Sequence, residues 1–312
     1  LAAYAAKFYN DSEDEKDDEY GNILPSHGSA TYNLGLFQKD NGTDDQTADS
    51  PSKLFVKGQY HVGDDDLWHK YFRKIRAANY FIQTVTERYA NREISGNDAN
   101  IKHYIGEVYF FRAYIYLTAL QNLGDFPILT EILPDDYNAI REASKRRPRN
   151  EVARFILSDL DKAYEYMLPT APVSNRLNKD CAALVKSRAA LFEATWEKYV
   201  GETTDGDGIR EGAGTAKPAG YPSVNEMLTE AAALSEKVID SGFYELWDAK
   251  GTPYESIAYN FLFNLEDENT NPMGYPKSRN REFILMDCYD RSSNRSGSNI
   301  THTFGGDNNG LG

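Results

Sequence analysis

Cysteine is scarce in this chain. The 312 residues hold two, Cys181 and Cys288, and neither has a His or Cys neighbour at metal-ligand spacing. The two could pair with each other, so cysteine usage leaves the redox compartment open. Long apolar runs are missing as well. No stretch of eighteen apolar residues occurs, so no helix is expected to cross a membrane. Basic residues are outnumbered, 34 Lys and Arg against 48 Asp and Glu, for a net charge of −14. Such a surface disfavours nucleic acid and anionic lipid, both of which need clustered Lys and Arg. A soluble acidic surface is the simplest reason for the charge, and an uncharged ligand remains compatible with it. Catalytic signatures are absent too: there is no Gly-x-Ser-x-Gly elbow, no His-Glu-x-x-His and no phosphate loop. The His residues are scattered at 27, 61, 69, 103 and 302. A carboxylate pair for glycoside hydrolysis could stand anywhere in so acidic a chain. No catalytic residue and no metal ligand is assigned.

What the chain does have is aromatic rings, 22 Tyr, 15 Phe and 3 Trp, and apolar residues at helical spacing. Tyr is an amphipathic ring that serves both interhelical packing and flat sugar faces. A stripe over 64–89 runs through Trp68, Phe72, Ile75, Ile82 and Tyr89, with Asp64, Asp65 and Asp66 at its start as caps. Over 99–123 the chain is apolar on nearly every side, from Ile101 through Phe111 to Leu120, which predicts a helix packed between neighbours and stopped by Gly124. A third helix is expected from Asn150, taken as its cap, and Pro169 closes it. A fourth covers 181–199 with Leu184, Arg188, Leu191, Phe192, Thr195 and Tyr199 on one side. A fifth covers 224–241 and ends at Gly242.

Strand signals are limited to 126–130 and 282–286. Residues 1–10, LAAYAAKFYN, lack a basic start and a cleavage site and read as a helix already under way. The natural N-terminus is therefore expected to lie upstream. The fold class predicted is mainly α, a tetratricopeptide-like helical repeat scaffold over about 64–246, with irregular loop regions over 9–63 and 247–312 in a single domain 1–312.

Gly106-Glu107, Arg112-Ala113-Tyr114 and then Leu123-Gly124-Asp125-Phe126-Pro127 through Glu131 resemble the signature segment of the SusD/RagB family. Trp68, Ile75, Ala78 and Asn79 upstream, and Arg147, Asn150-Glu151-Val152, Ile156, Asp159-Leu160 and Leu168-Pro169 downstream, resemble the flanking family segments. Those around Ala189, at Val238 to Leu246 and at Asn280 to Ile284 follow in the family's order. Residue Tyr71 falls one position early, and the family's lipidated N-terminal cysteine and C-terminal part are missing.

The resemblance implies a SusD-like fold and a non-catalytic outer-membrane lipoprotein, lipid-anchored at the cell surface. Such a protein binds poly- or oligosaccharide and delivers it to a TonB-dependent transporter. It implies no enzyme activity and no cofactor. The alternatives left open are a helical-repeat adaptor for another protein and a helical glycoside hydrolase.

The family fixes no ligand motif, so candidate residues come from chemistry. Asp44, Asp45 and Gln46, which resemble a short acidic spot of the family, stand near Tyr60 and His61 in the loop 37–63. They offer acceptors for hydroxyls and rings for a sugar's C–H face. In the tail, Tyr275, Tyr289, Arg291, Asn294 and Phe304 offer the same groups. A solvated loop rich in caps explains these residues more simply. Asp205-Gly206-Asp207-Gly208 looks like the opening of a calcium loop, but its later ligands are out of position, and a turn is the better reading. Glu107 and Arg112 lie on a helix expected to be buried and must therefore be paired there, as structural ions. Trp68 reads as a packing anchor.

Overall fold

A computed structural model describes residues 1–9, 23–24, 56–57, 67–200, 219–264, 267–269 and 271–285. Among them the ordered elements are helical: α1 (Ala2–Ala6), α2 (Leu67–Ala90), α3 (Asp98–Leu123), α4 (Tyr137–Ala143), α5 (Arg149–Tyr166), α6 (Lys179–Val200), α7 (Val224–Ile239) and α8 (Ala258–Asn264). The long helices pack in chain order, α2 on α3, α3 on α5, α5 on α6 and α6 on α7. That sequential stacking is the tetratricopeptide-like array expected from the five apolar stripes. Helix α3 is its centre and touches α1, α2, α5 and α6. This is why it is apolar all round: Ile105, Val108, Phe111, Tyr116 and Leu120 are each buried. Fully burying a side chain of this size contributes about 1.5–3 kcal/mol. The short α1 and the 3-10 turn Lys7–Tyr9 that follows it are held the same way, with Ala5 and Phe8 fully buried and the Phe8 ring stacked 5.7 Å from Phe111.

Trp68 proves to be a packing anchor. Its ring stacks on Phe126 at 5.0 Å and on Phe72 at 5.7 Å. Glu107 and Arg112 are indeed paired, Arg112 with a residue of α5 and Glu107 with one from the connection between α5 and α6. Arg112 grips Asp159 of α5 through two bonds of 2.7 and 2.8 Å, and donates to Asn79 of α2 at 2.8 Å. Glu107 pairs with Arg176 and, at 3.2 Å, with His103. Because Nδ1 of His103 accepts the Leu168 N–H at 3.0 Å, its Nε2 carries the proton given to Glu107.

Three expectations are corrected. Residues 126–130 form no strand: Phe126 makes one isolated antiparallel bridge to Arg147. The backbone beyond it is satisfied by side chains, since the Tyr116 hydroxyl accepts from Leu129 N at 2.8 Å and Asn79 donates to Leu129 O at 2.9 Å. Residues 282–285 form no strand either, and residue 286 lies outside the described residues. Asn150 is not the cap of α5. Pro148 holds that position and caps nothing with its side chain, while the first helical N–H, from Arg149, donates at 2.8 Å to Asp125, 24 residues upstream.

The Gly-Asp-x-Pro turn thus has a structural task. Gly124, at φ 70°, stops α3, and Asp125 turns to cap α5. Replacing Asp125 with Ala should cost about 1 kcal/mol, as loss of a helix-start acceptor does, and lower the urea midpoint accordingly. The capping triplet Asp64, Asp65 and Asp66 lies outside the described residues.

Candidate functional site

Two helical stripes face each other across an open groove between α3 and α6. From α3 come Tyr114, Leu117, Thr118 and Gln121; from α6 come Val185, Arg188, Leu191, Phe192 and Thr195. The spacings of three and four residues put each set on one helix face. The enclosed volume is about 400 Å³, within the range of small-ligand sites. Helix α5 packs against both α3 and α6, so the walls stand on a rigid support.

The walls are amphipathic. Leu191, on the apolar stripe of α6, is 48% exposed. Phe192 is half-buried, and the Arg149 guanidinium lies 5.3 Å from its ring centroid and 4.1 Å from that of Trp196. Arg149 is itself held by buried Glu193 at 2.7 Å, which fixes the wall from within the scaffold. On the opposite wall the half-buried Tyr114 stacks 6.1 Å from Phe110. Burial pushes the Tyr114 hydroxyl above the usual tyrosine range, with the Arg188 charge opposing. The phenol therefore stays protonated at neutral pH and can donate and accept. Thr118 and Thr195 give their hydroxyl protons to backbone carbonyls, Tyr114 O at 3.0 Å and Leu191 O at 2.8 Å, and keep their oxygens as acceptors. Gln121 and Arg188 are exposed.

The residues proposed from sequence as sugar contacts, Asp44, Asp45, Gln46, Tyr60, His61, Tyr289, Arg291 and Asn294, lie outside the described residues, as do Phe304 and Asp205 to Gly208. Tyr275 is described and belongs to a small secondary cluster, edge-on to Trp247 at 6.1 Å. Sequence reasoning missed the groove. The signal was present, because Arg188, Leu191, Phe192 and Thr195 share one stripe, but a stripe does not reveal which part of it the fold leaves open. Cys181 is a buried free thiol, pushed up to about 11 by desolvation, and Cys288 lies outside the described residues. Among the described residues no group of three His, Cys, Asp or Glu could hold a metal ion. No described helix is long and apolar enough to cross a membrane.

Residues 2–191 match the family model SusD-like, described as starch-binding and associating with the outer membrane. The chain belongs to the SusD-like family. The matched span holds α1 to α5 and half of α6, including the segment from Gly106 to Glu131 and all of the α3 wall. Solved structures similar to it include a SusD-like protein of Bacteroides fragilis, 23% identical, covering 73% of this chain and 34% of that one, with a TM-score of 0.46. A SusD superfamily protein of Parabacteroides distasonis is 19% identical over 73% of this chain and 38% of its own, at 0.46. A structure described with a xylogluco-oligosaccharide is 17% identical over 76% and 38%, at 0.48. This SusD-like chain therefore spans 34–38% of the length of those structures. No curated protein matches it.

Proposed function

We propose that this SusD-like protein is a non-catalytic glycan-binding component of a cell-surface uptake system. It takes up poly- or oligosaccharide outside the outer membrane, held there by a lipid, and passes it to a TonB-dependent transporter. The observation that carries the reading is the family match, whose model is described as starch-binding and outer-membrane-associating. The α3–α6 groove supports it chemically. A sugar needs a flat apolar surface for its C–H face and neutral donors and acceptors for its hydroxyls. Tyr114 and Phe192 offer the first, and Thr118, Gln121, Thr195 and the Tyr114 hydroxyl the second. Glycoside hydrolysis needs two carboxyl groups flanking the scissile bond, and the described residues that line the groove include none, which favours capture over cleavage there.

Calorimetry of the full-length protein against a panel of soluble glycans tests the reading. At least one oligosaccharide should bind with a saturable heat and be recovered uncut by chromatography, and a TonB-dependent transporter should co-purify from outer membranes. Absence of both binding and co-purification would rule the proposal out.

A further inference from the structure

We propose that the α3–α6 groove selects sugars carrying an anionic group, a carboxylate or a sulfate ester, and that Arg188 is the residue that reads the charge. This rests on the glycan-binding reading above and names the ligand class for that groove.

The groove differs in charge from the rest of the chain. The chain carries a net charge of −14, yet among the described residues that line the groove the one charged side chain is Arg188. Five other arginines of this scaffold are committed to acidic partners, and none of the five lines the groove. Arg112 is tied to Asp159, Arg149 to Glu193, Arg176 to Glu107, Arg147 to Glu151 and Arg281 to Glu245. Arg188 is exposed and, among the described residues, has no ion-pair partner and donates no hydrogen bond. Its position on the apolar stripe with Leu191, Phe192 and Thr195 places a planar five-donor cation on a wall that is otherwise hydrophobic or neutral. A guanidinium in such a setting matches the two oxygens of a carboxylate, or two of a sulfate, through paired N–H···O bonds.

Neutral sugars leave that fork solvated and unused. A uronate or sulfated unit would occupy it while its ring lies between Tyr114 and Phe192 and its hydroxyls meet Thr118, Gln121 or Thr195. The acidity of the rest of the chain does not forbid this. At about 0.15 M salt the Debye length is roughly 8 Å, so carboxylates farther off are largely screened, whereas a contact ion pair is not. The acidic residue of α6 nearest to Arg188 in sequence, Glu193, is buried and paired with Arg149.

The test is calorimetry on the full-length protein at about 0.15 M salt with three probes: a galacturonate trisaccharide, a sulfated galactan trisaccharide and maltotriose. At least one charged probe should bind about tenfold or more tighter than maltotriose, the gain of one charge-assisted hydrogen bond. Which of the two does so identifies the anion. In R188Q this preference should vanish while the thermal midpoint stays unchanged, since the side chain is exposed. R188K should recover only part of the preference, because a point charge cannot make the paired bonds. Equal binding of all three probes, or a preference that survives in R188Q, would overturn the inference and leave the glycan-binding reading standing. If none of the three binds to wild type, while glycans of the wider panel do, the groove assignment falls; if no glycan binds at all, both fall.

Discussion

Replacing Arg112 with Ala should destabilise the fold by about 3–5 kcal/mol, seen as a large drop in the urea midpoint at unchanged slope. The size follows from what the truncation strands. Arg112 is 5% exposed and joins three elements: its two bonds to Asp159 hold α3 to α5, and its third, to Asn79, holds α3 to α2. Its guanidinium also lies 5.1 Å from the Phe155 ring centroid and 5.3 Å from that of Tyr109. Without it, Asp159 is a carboxylate 4% exposed with no counter-ion, a far worse state than the solvated acid of the unfolded chain. Asn79 loses its partner at the same stroke, although it keeps its bond to Leu129 O.

The companion measurement separates the worth of the pair from the cost of breaking it. The double variant Arg112→Met with Asp159→Leu removes both charges and keeps most of the volume, so it should recover most of the lost stability. A double variant as unstable as Arg112→Ala would instead mean that the contacts to Asn79 and to the aromatic rings carry the effect.

That network also shows what could be read from sequence and what could not. Burial of Arg112 followed from the helix being apolar on every side, and burial alone required a partner. The identity of the partner did not follow, because Asp159 and Asn79 lie 47 and 33 residues away and only the order of helix packing brings them in. The five long helices were legible because each carries an apolar stripe, and three also carry a chemical stop, as Gly124 and Gly242 illustrate with φ of 70° at each. Helix α4 was not, since none of its residues is buried and it is fixed at its start by Asp136, which accepts from Ala139 N at 2.8 Å. The segment 126–130 misled for a different reason. Its residues favour pairing as a strand, but beyond one bridge side chains of α2 and α3 take the place of a neighbouring strand.

The groove sits at the same limit. Tyr114 belongs to the segment that signals the family, and Arg188 stands on a stripe that predicts packing, so both were visible as structural residues. Their place on the groove depends on how α3, α5 and α6 pack and leave Leu191 exposed, a property of three helices and not of either stripe. The family signature and the proposed site therefore share one helix: buried faces of α3 hold Arg112 and Glu107, and the remaining face supplies a wall of the groove.

Gly106 gives the sharpest test of this packing, because the sign of the effect is at stake. In an isolated helix, Gly106→Ala would stabilise by about 0.5–1 kcal/mol through backbone entropy and helix propensity. Here a Cβ would stand 2.9 Å from Met167 Cγ, 3.0 Å from Tyr166 Cβ and 3.1 Å from Met167 N. Met167 Cγ lies near the root of a side chain only 1% exposed and has little room to move, and Tyr166 Cβ and the Met167 amide belong to the end of α5 and move only with the helix. That amide is also committed, donating to Ala163 O at 2.9 Å. Relief thus requires α3 and α5 to separate, which would strain the neighbouring Arg112–Asp159 and Glu107–Arg176 pairs as well. We expect Gly106→Ala to destabilise by about 1–3 kcal/mol, and Gly106→Leu to reach or exceed the upper end of that range. Urea unfolding followed by far-ultraviolet circular dichroism reads both. A stabilised Gly106→Ala would mean that the close approach of α3 to α5 is not what requires glycine at this position.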